Sequence, residues 1–479
     1  MYFETIIYFI IWSLSVIYSV HRFSTSSYNY FRYYNDEYDD FTQGISFLSK
    51  KRDKADLEWE AIMFLVKDYF PWLVIYVSVA LATKYIKSLK IFKLWHILFT
   101  VIYILLKWNY IFLLLLLIQP AVFLNIRYLY QNKSSVWMSS SISLALLNYL
   151  KSIVNNPDLI ETIKSKDYEI YVLICSLFWM NLKCTSFCLE NTENTNALDF
   201  LSYCFYPPTV FSGPFILYKD FETCYNSNIE FSLWRCKKLA RNLIKSLFWF
   251  SFLYICLHFV YLNASAYHPQ LIENLDSWSL YGFGYAMGQF FHLKYVIQYG
   301  ISTSIASFER INVPNLPRCI GRIHLYSDMW KYFDPGLYNF LIKNIYLPMT
   351  KFTQNKPIRS FFCFSFVYVW HGLETHIFIW TILNYFGLMC ESVLWSKTDK
   401  IKKNGQEQNW KRRKDCFISA FLLAMSAISN FYFFAGYNVG NVFFRRLFAD
   451  MFGNIVLIAA LYCCCQVSTE IPTVPASQM

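Results

Sequence analysis

Charged residues are scarce in this chain. They make up 16% of its 479 residues, against about 25% in a soluble domain, while 56% are hydrophobic. Folded in water as roughly two to four domains, it would have too few polar side chains to cover its apolar surface. The same balance excludes intrinsic disorder. At 14 residues, cysteine is too dilute for a secreted disulfide scaffold. Most cysteines lie inside apolar runs, as buried thiols do. Cys184 and Cys188 have a metal-like spacing but no second pair follows at zinc-site distance. Acids are outnumbered, 32 Asp+Glu against 43 Lys+Arg, for a formal net charge of +11. No RNA- or DNA-binding motif accompanies that excess, so nucleic acid is not an expected partner. No internal repeat is visible, which leaves an inverted-repeat transporter without support. What remains is an all-α, polytopic membrane protein.

Apolar runs of spanning length need about 20 residues. They lie at 5–20, 69–83, 89–106, 109–126, 243–262, 281–305, 361–388, 416–435 and 446–465, with weaker ones at 136–150 and 169–183. This predicts a transmembrane helical bundle of about ten spans plus re-entrant or amphipathic segments. The first run lacks a basic n-region and a small-residue cleavage site, so it reads as a retained anchor. Residues 21–60 read as an interfacial loop, 184–200 as a polar loop and 466–479 as a disordered tail. Residues 200–218 are apolar but broken by Pro207, Pro208, Gly213 and Pro214. Broken backbone at membrane depth survives only inside protein or against a water-filled cavity, so this segment is expected in the interior. Residues 335–350 read as amphipathic or re-entrant. Cys463, Cys464 and Cys465 end the last run, a juxtamembrane place where palmitate can attach.

Basic clusters at 235–245 and 397–414 orient the chain with those loops in the cytosol. His371 lies 26 residues before Lys397, roughly 39 Å along one helix. That places it in the lumenal half of the bilayer. An ionisable side chain in a span faces the interior or a cavity. A buried imidazole favours its neutral form, the form that accepts a proton. The alternative is a core histidine hydrogen-bonded to a neighbour. Asp334, before Pro335-Gly336, is either a second functional carboxylate or a turn and helix-cap residue. His371, Glu374 and His376 lack the spacing of a zinc helix.

Phe211-Ser212-Gly213-Pro214, Trp330-Lys331-Tyr332-Phe333-Asp334-Pro335-Gly336-Leu337, Tyr346-Leu347-Pro348 and Trp370-His371-Gly372 resemble, in that order, the membrane-bound O-acyltransferase (MBOAT) superfamily. Met329-Trp330 through Asp334 is most similar to the Hedgehog acyltransferase branch. One departure is Pro348-Met349-Thr350-Lys351, where the branch follows its Pro with Gly-Gly. The resemblance implies the MBOAT fold, divided as 1–60 anchor and interfacial loop, 61–200 N-terminal transmembrane helices, 201–390 catalytic core, and 391–479 C-terminal helices and tail. It implies an endoplasmic reticulum (or Golgi) multi-pass enzyme. Such an enzyme moves a long-chain acyl group from acyl-CoA, here palmitoyl-CoA, to the N-terminal Cys amine of a secreted Hedgehog-like protein in the lumen. It implies catalytic roles for His371 and Asp334, with Trp330, Asn339, Trp370 and Lys343 as substrate-binding residues. Cys319 takes the place of the branch's haem-iron ligand, with an ordinary buried thiol as the alternative. No other metal is expected.

CoA phosphates need cytosolic cations, and Lys331, Lys343 and Lys351 are the candidates. Two other readings stay open: a lipid O-acyltransferase acting on lysolipid or glycerol acceptors, and a non-catalytic scaffold or transporter.

Overall fold

The computed structural model describes residues 2–32, 39–130, 132–154, 166–190, 196–226, 232–395 and 405–470. Basic residues Lys397 to Lys403 and tail residues 471–479 lie outside the described residues. The helices that organise the molecule are α1 (Tyr2–Arg32), α2 (Leu57–Phe64), α3 (Phe70–Tyr85), α4 (Leu89–Lys107), α5 (Tyr110–Leu129), α6 (Lys133–Val154) and α7 (Asp167–Glu190). They continue with α8 (Leu233–Cys256), α9 (Ser277–Phe308), α10 (Pro335–Leu341), α11 (Lys356–His371), α12 (Thr375–Trp395), α13 (Gly405–Ala449) and α14 (Met451–Glu470). Phe41–Thr42 and Arg52–Asp53 pair as a two-residue antiparallel ladder. Eight of the described helical segments are long and apolar enough to cross a membrane. The runs expected at 136–150, 243–262 and 281–305 fall in α6, α8 and α9, which carry too many polar residues to meet that measure alone.

The elements start where the sequence caps them. Ser88 and Asn109 accept the free amides of Ile91 and Ile111 at the heads of α4 and α5. Asn196 and Asp199 form a reciprocal capping box for the short helix Ala197–Cys204. α1 turns Phe3, Ile6, Ile10, Leu14 and Ile17 outward, as a lipid-facing helix does. Its inner side crosses α9 at Gly282, where a Cβ would strike the Ser19 carbonyl. Only glycine permits that approach.

α7 and α9 form the interior. The expected polar loop over 184–200 does not begin at 184: α7 runs to Glu190, with Cys184 to Leu189 all buried. Its polar side chains are spent inside the protein. Lys183 donates to Thr209 Oγ1 at 3.0 Å, and Thr185 donates to Ser140 Oγ at 2.9 Å. Likewise α1 extends to Arg32 and α2 starts at Leu57, which shortens the loop expected over 21–60. The proline-broken segment is interior: Pro207, Pro208, Phe211 and Phe215 are buried. Cys463, Cys464 and Cys465 are also buried, and Cys464 donates to the Gly321 carbonyl at 3.1 Å. Those thiols face protein, not a lipid-modifying enzyme.

The single span expected at 361–388 is a hairpin. α11 ends at His371, Gly372 takes a φ of +129°, and α12 returns antiparallel. Tyr368 meets Phe378, Phe361 meets Tyr385, and Tyr385 OH donates to the Pro357 carbonyl at 3.4 Å. α12 spans roughly 31 Å between the hairpin tip and the segment that contains Lys397. His371 at the tip is still far from that basic end.

Outside the spanning helices, buried Asp53 fastens the 39–56 loop. It accepts the amides of Ala55, Asn263 and Ala264 at 3.1, 2.7 and 3.1 Å. Burial outweighs these bonds and pushes its carboxyl up to about 7, from an ordinary 3.8. Between those values the folded state holds a proton that the unfolded chain has lost, so stability falls as pH rises through the interval. The melting temperature of the detergent-solubilised protein should decline across it. In Asp53→Asn that decline should be shallower.

Candidate active site

A helix ending inside a protein leaves its last carbonyls without partners. At the end of α11 two side chains of α6 supply them. Asn148 Nδ2 donates to the Val369 carbonyl at 2.9 Å, and Lys151 Nζ to the His371 carbonyl at 3.5 Å. Lys151 also pairs with Glu374 at 2.8 Å, and Glu374 with His376 at 3.2 Å. Trp370 Nε1 donates to the Phe178 carbonyl at 3.2 Å. The turn after His371 is thus held from α6 and α7. The imidazole stands edge-on among Trp370, Trp380 and Phe433, with ring centroids 4.8, 5.3 and 5.1 Å away.

Asp334 caps α10. Its Oδ1 accepts from Leu337 N at 2.9 Å and its Oδ2 from Tyr299 OH at 2.8 Å. The cap reading of its sequence is therefore correct. The carboxylate nonetheless lines a cavity of about 110 Å³ that His371, Trp330, Trp370, Trp380 and Tyr299 also line.

Three cavities meet there. A polar one of about 640 Å³ is walled by Asp56, Glu58, Lys151, Lys294 and Glu374, and it reaches His371 and Trp370. Lys294 is buried in it, bound to Asp56 and Glu58 at 2.8 and 2.6 Å. An apolar one of about 200 Å³ lies between α1, α9, α13 and α14. Ile320, Met329 and Phe434 line both the apolar cavity and the one holding Asp334. His371, Trp370 and Phe433 line both the latter and the polar one. His371 therefore stands on the wall between a cavity lined by charged residues and one lined mostly by aromatic and aliphatic ones. Such a site can hold an apolar chain and a polar nucleophile on either side of one base.

Not every expected residue is here. Trp330 and Trp370 line the cavity; Asn339 is exposed on α10, away from it. Lys343 is tied to Glu190 at 2.8 Å, and Lys331 and Lys351 are exposed. Haem at Cys319 finds no support in its surroundings. The half-buried thiol flanks the apolar cavity without lining it, and its Sγ lies 3.9 Å from Gln289 Oε1. Among the described residues no three His, Cys, Asp or Glu gather as a metal site. Tyr299, Asn148 and Lys151 were missed because nothing local marks them. Lys294 had a signal, a lone cation within the apolar run 281–305.

A family model described as MBOAT, membrane-bound O-acyltransferase family, matches residues 104–435. The chain is 29% identical over 455 residues to Protein-cysteine N-palmitoyltransferase Rasp of Drosophila melanogaster, covering 89% of this chain and 87% of that one. It is 27% identical over 362 residues to Protein-cysteine N-palmitoyltransferase HHAT of Mus musculus, covering 69% and 71%. With Membrane-bound O-acyltransferase GUP1 of Candida tropicalis it shares 26% over 290 residues, covering 58% and 48%.

The double duty of Asp334 sets a test. Asp334→Ala removes the cap and should destabilise the protein by about 1 kcal/mol. Asp334→Asn keeps a capping oxygen and should melt close to the native protein. Thermal unfolding of both in detergent checks this.

Proposed function

The chain belongs to the membrane-bound O-acyltransferase family and is a multi-pass membrane acyltransferase; from that premise we propose that it carries palmitoyl from palmitoyl-CoA to the N-terminal Cys amine of a secreted, Hedgehog-like protein, in the endoplasmic reticulum membrane. The observation that carries this reading is the place of His371, on the wall shared by the polar cavity and the one holding Asp334. The protein acceptor is supported by two relatives named protein-cysteine N-palmitoyltransferases.

In the proposed reaction the neutral amine enters from the polar, lumenal side. The thioester arrives from the cytosolic side with its chain among apolar walls. The amine nitrogen attacks the thioester carbonyl carbon, a C–N bond forms and the C–S bond breaks. His371 takes the amine's proton and returns it to the departing sulfur, so the products are an amide and CoA thiol. Asp334, braced by Tyr299 and by the amide of Leu337, orients the amine and offsets its developing positive charge. Trp330 and Trp370 shape the channel around the carbonyl. Holding both substrates against one base supplies proximity in addition to proton transfer.

The likeness to GUP1, named only as a membrane-bound O-acyltransferase, favours a second reading, a lipid acceptor. Purified protein given labelled palmitoyl-CoA should acylate a Cys-initiated peptide and not a lysolipid; the reverse outcome replaces the first reading by the second. A Ser-initiated peptide tests a hydroxyl nucleophile. His371→Ala should fold normally and transfer about 10²–10⁴-fold more slowly. An unchanged rate in that variant removes the base from the mechanism.

A further inference from the structure

The cavity that holds Asp334 and His371 is small for a long-chain donor. It measures about 110 Å³, and it must take the thioester carbonyl and the attacking amine as well as hydrocarbon. The apolar chamber beside it measures about 200 Å³. That chamber follows α9 from Gln289 to Trp278, roughly 16 Å. On its α1 wall Ser15 and Ser19 spend their hydroxyls on α1's own carbonyls, at Ile11 and Val16. Those serines therefore ask nothing of an occupant.

The two ends of the chamber differ. At the Trp278 end the walls turn polar and are bonded to one another. Tyr281 OH donates to Asn454 Oδ1 at 3.3 Å, and Arg446 donates to the Glu273 and Leu275 carbonyls at 2.9 and 2.7 Å. A chain pushed between them would break those bonds. The other end joins the chemistry. Ile320, Met329, Asn430 and Phe434 belong to the chamber and to the catalytic cavity alike. Asn430, the polar member, has its Oδ1 taken by Trp380 Nε1 at 2.9 Å, and the Trp380 ring stands beside His371. Gly288 lines the chamber at this junction, where a Cβ would come within 2.8 Å of Ile320 Cδ1. A side chain at 288 would either displace Ile320 or fill the passage.

We propose that the chamber between α1, α9, α13 and α14 takes the hydrocarbon tail of the acyl donor, and that Gly288, by keeping the junction open, sets the longest chain the enzyme accepts. Continuity with the cavity of His371 favours the donor's tail over a free membrane lipid. This rests on the acyl-CoA reading above and deepens it. The tail would run from the junction at Ile320 toward the polar end at Tyr281, which limits its length.

The test gives full-length protein in detergent a ladder of donors from octanoyl-CoA to palmitoyl-CoA, with a Cys-initiated peptide as acceptor. Gly288→Leu should lower kcat/KM for palmitoyl-CoA about tenfold or more, the weight of an overpacked passage. Its octanoyl transfer should stay close to native, which also shows that the variant is folded. Gly288→Ala should give a smaller shift of the same kind. Adding Ile320→Ala, which removes the atom that a Cβ at 288 would meet, should restore palmitoyl transfer. An unchanged chain-length profile in both single variants overturns the proposal. So does an equal loss along the whole ladder in Gly288→Ala, which marks the glycine as structural. If a phospholipid or sterol co-purifies with the native protein and is lost from Gly288→Leu while the profile stays put, the chamber is a lipid site and the tail assignment falls. A native protein that transfers no acyl group of any length to any acceptor sinks the acyltransfer reading itself, an outcome separate from all of these.

Discussion

The site depends on how one helix stops. α11 ends at the half-buried His371, beside the polar cavity, and its final carbonyls need donors. Asn148 and Lys151 provide them from α6, and Gly372 takes a backbone angle that side-chain-bearing residues rarely adopt. With the turn fixed, the imidazole has one place to be, among three aromatic rings on the wall between two cavities. A loop that merely carried histidine would leave the ring free to sample many positions. Here the ring is held by satisfied backbone groups on one side and packed rings on the other.

The same logic organises the other half of the site. Asp334 earns its position as a helix cap, and Tyr299 reaches it from α9. Gly336, two residues on, lies so close to the Phe215 carbonyl that a Cβ could not fit. The proline-broken segment is thus the floor on which α10 rests. Its irregular backbone is tolerated because it is enclosed. The polar cavity is stabilised differently, by Lys294 held between Asp56 and Glu58. A buried cation with two acids keeps charged walls in place next to apolar ones.

Much of this was legible in the sequence. Low charge and long apolar runs fixed the class. Pro207, Pro208 and Pro214 in an apolar stretch marked an interior break, and the family resemblance, not the local sequence, joined His371 to Asp334. What escaped was long-range. Nothing near Asn148 or Lys151 says that they face a carbonyl more than two hundred residues later. The run 361–388 reads as one span because Gly372-Leu373-Glu374 is a short interruption, and hydropathy averages over it. Asn339 looked functional by its place in a motif, yet a helix of two turns has an outside, and Asn339 is on it. Lys343 was a candidate for the CoA phosphates, and its partner Glu190 could not be foreseen because that residue lies in what reads as a loop.

α1 is the last piece, and it has a bearing on handling the protein. Only 6% of its most apolar window is buried, yet Trp12, Ser15, Val16 and Ser19 wall the apolar cavity. That chamber is separated from the surrounding hydrocarbon by the thickness of one helix. Extraction that replaces bilayer with a micelle changes the material on the far side of this partition, and so bears on the chamber directly, whereas the polar cavity on the other side of His371 opens past Asp167 and Glu374 instead.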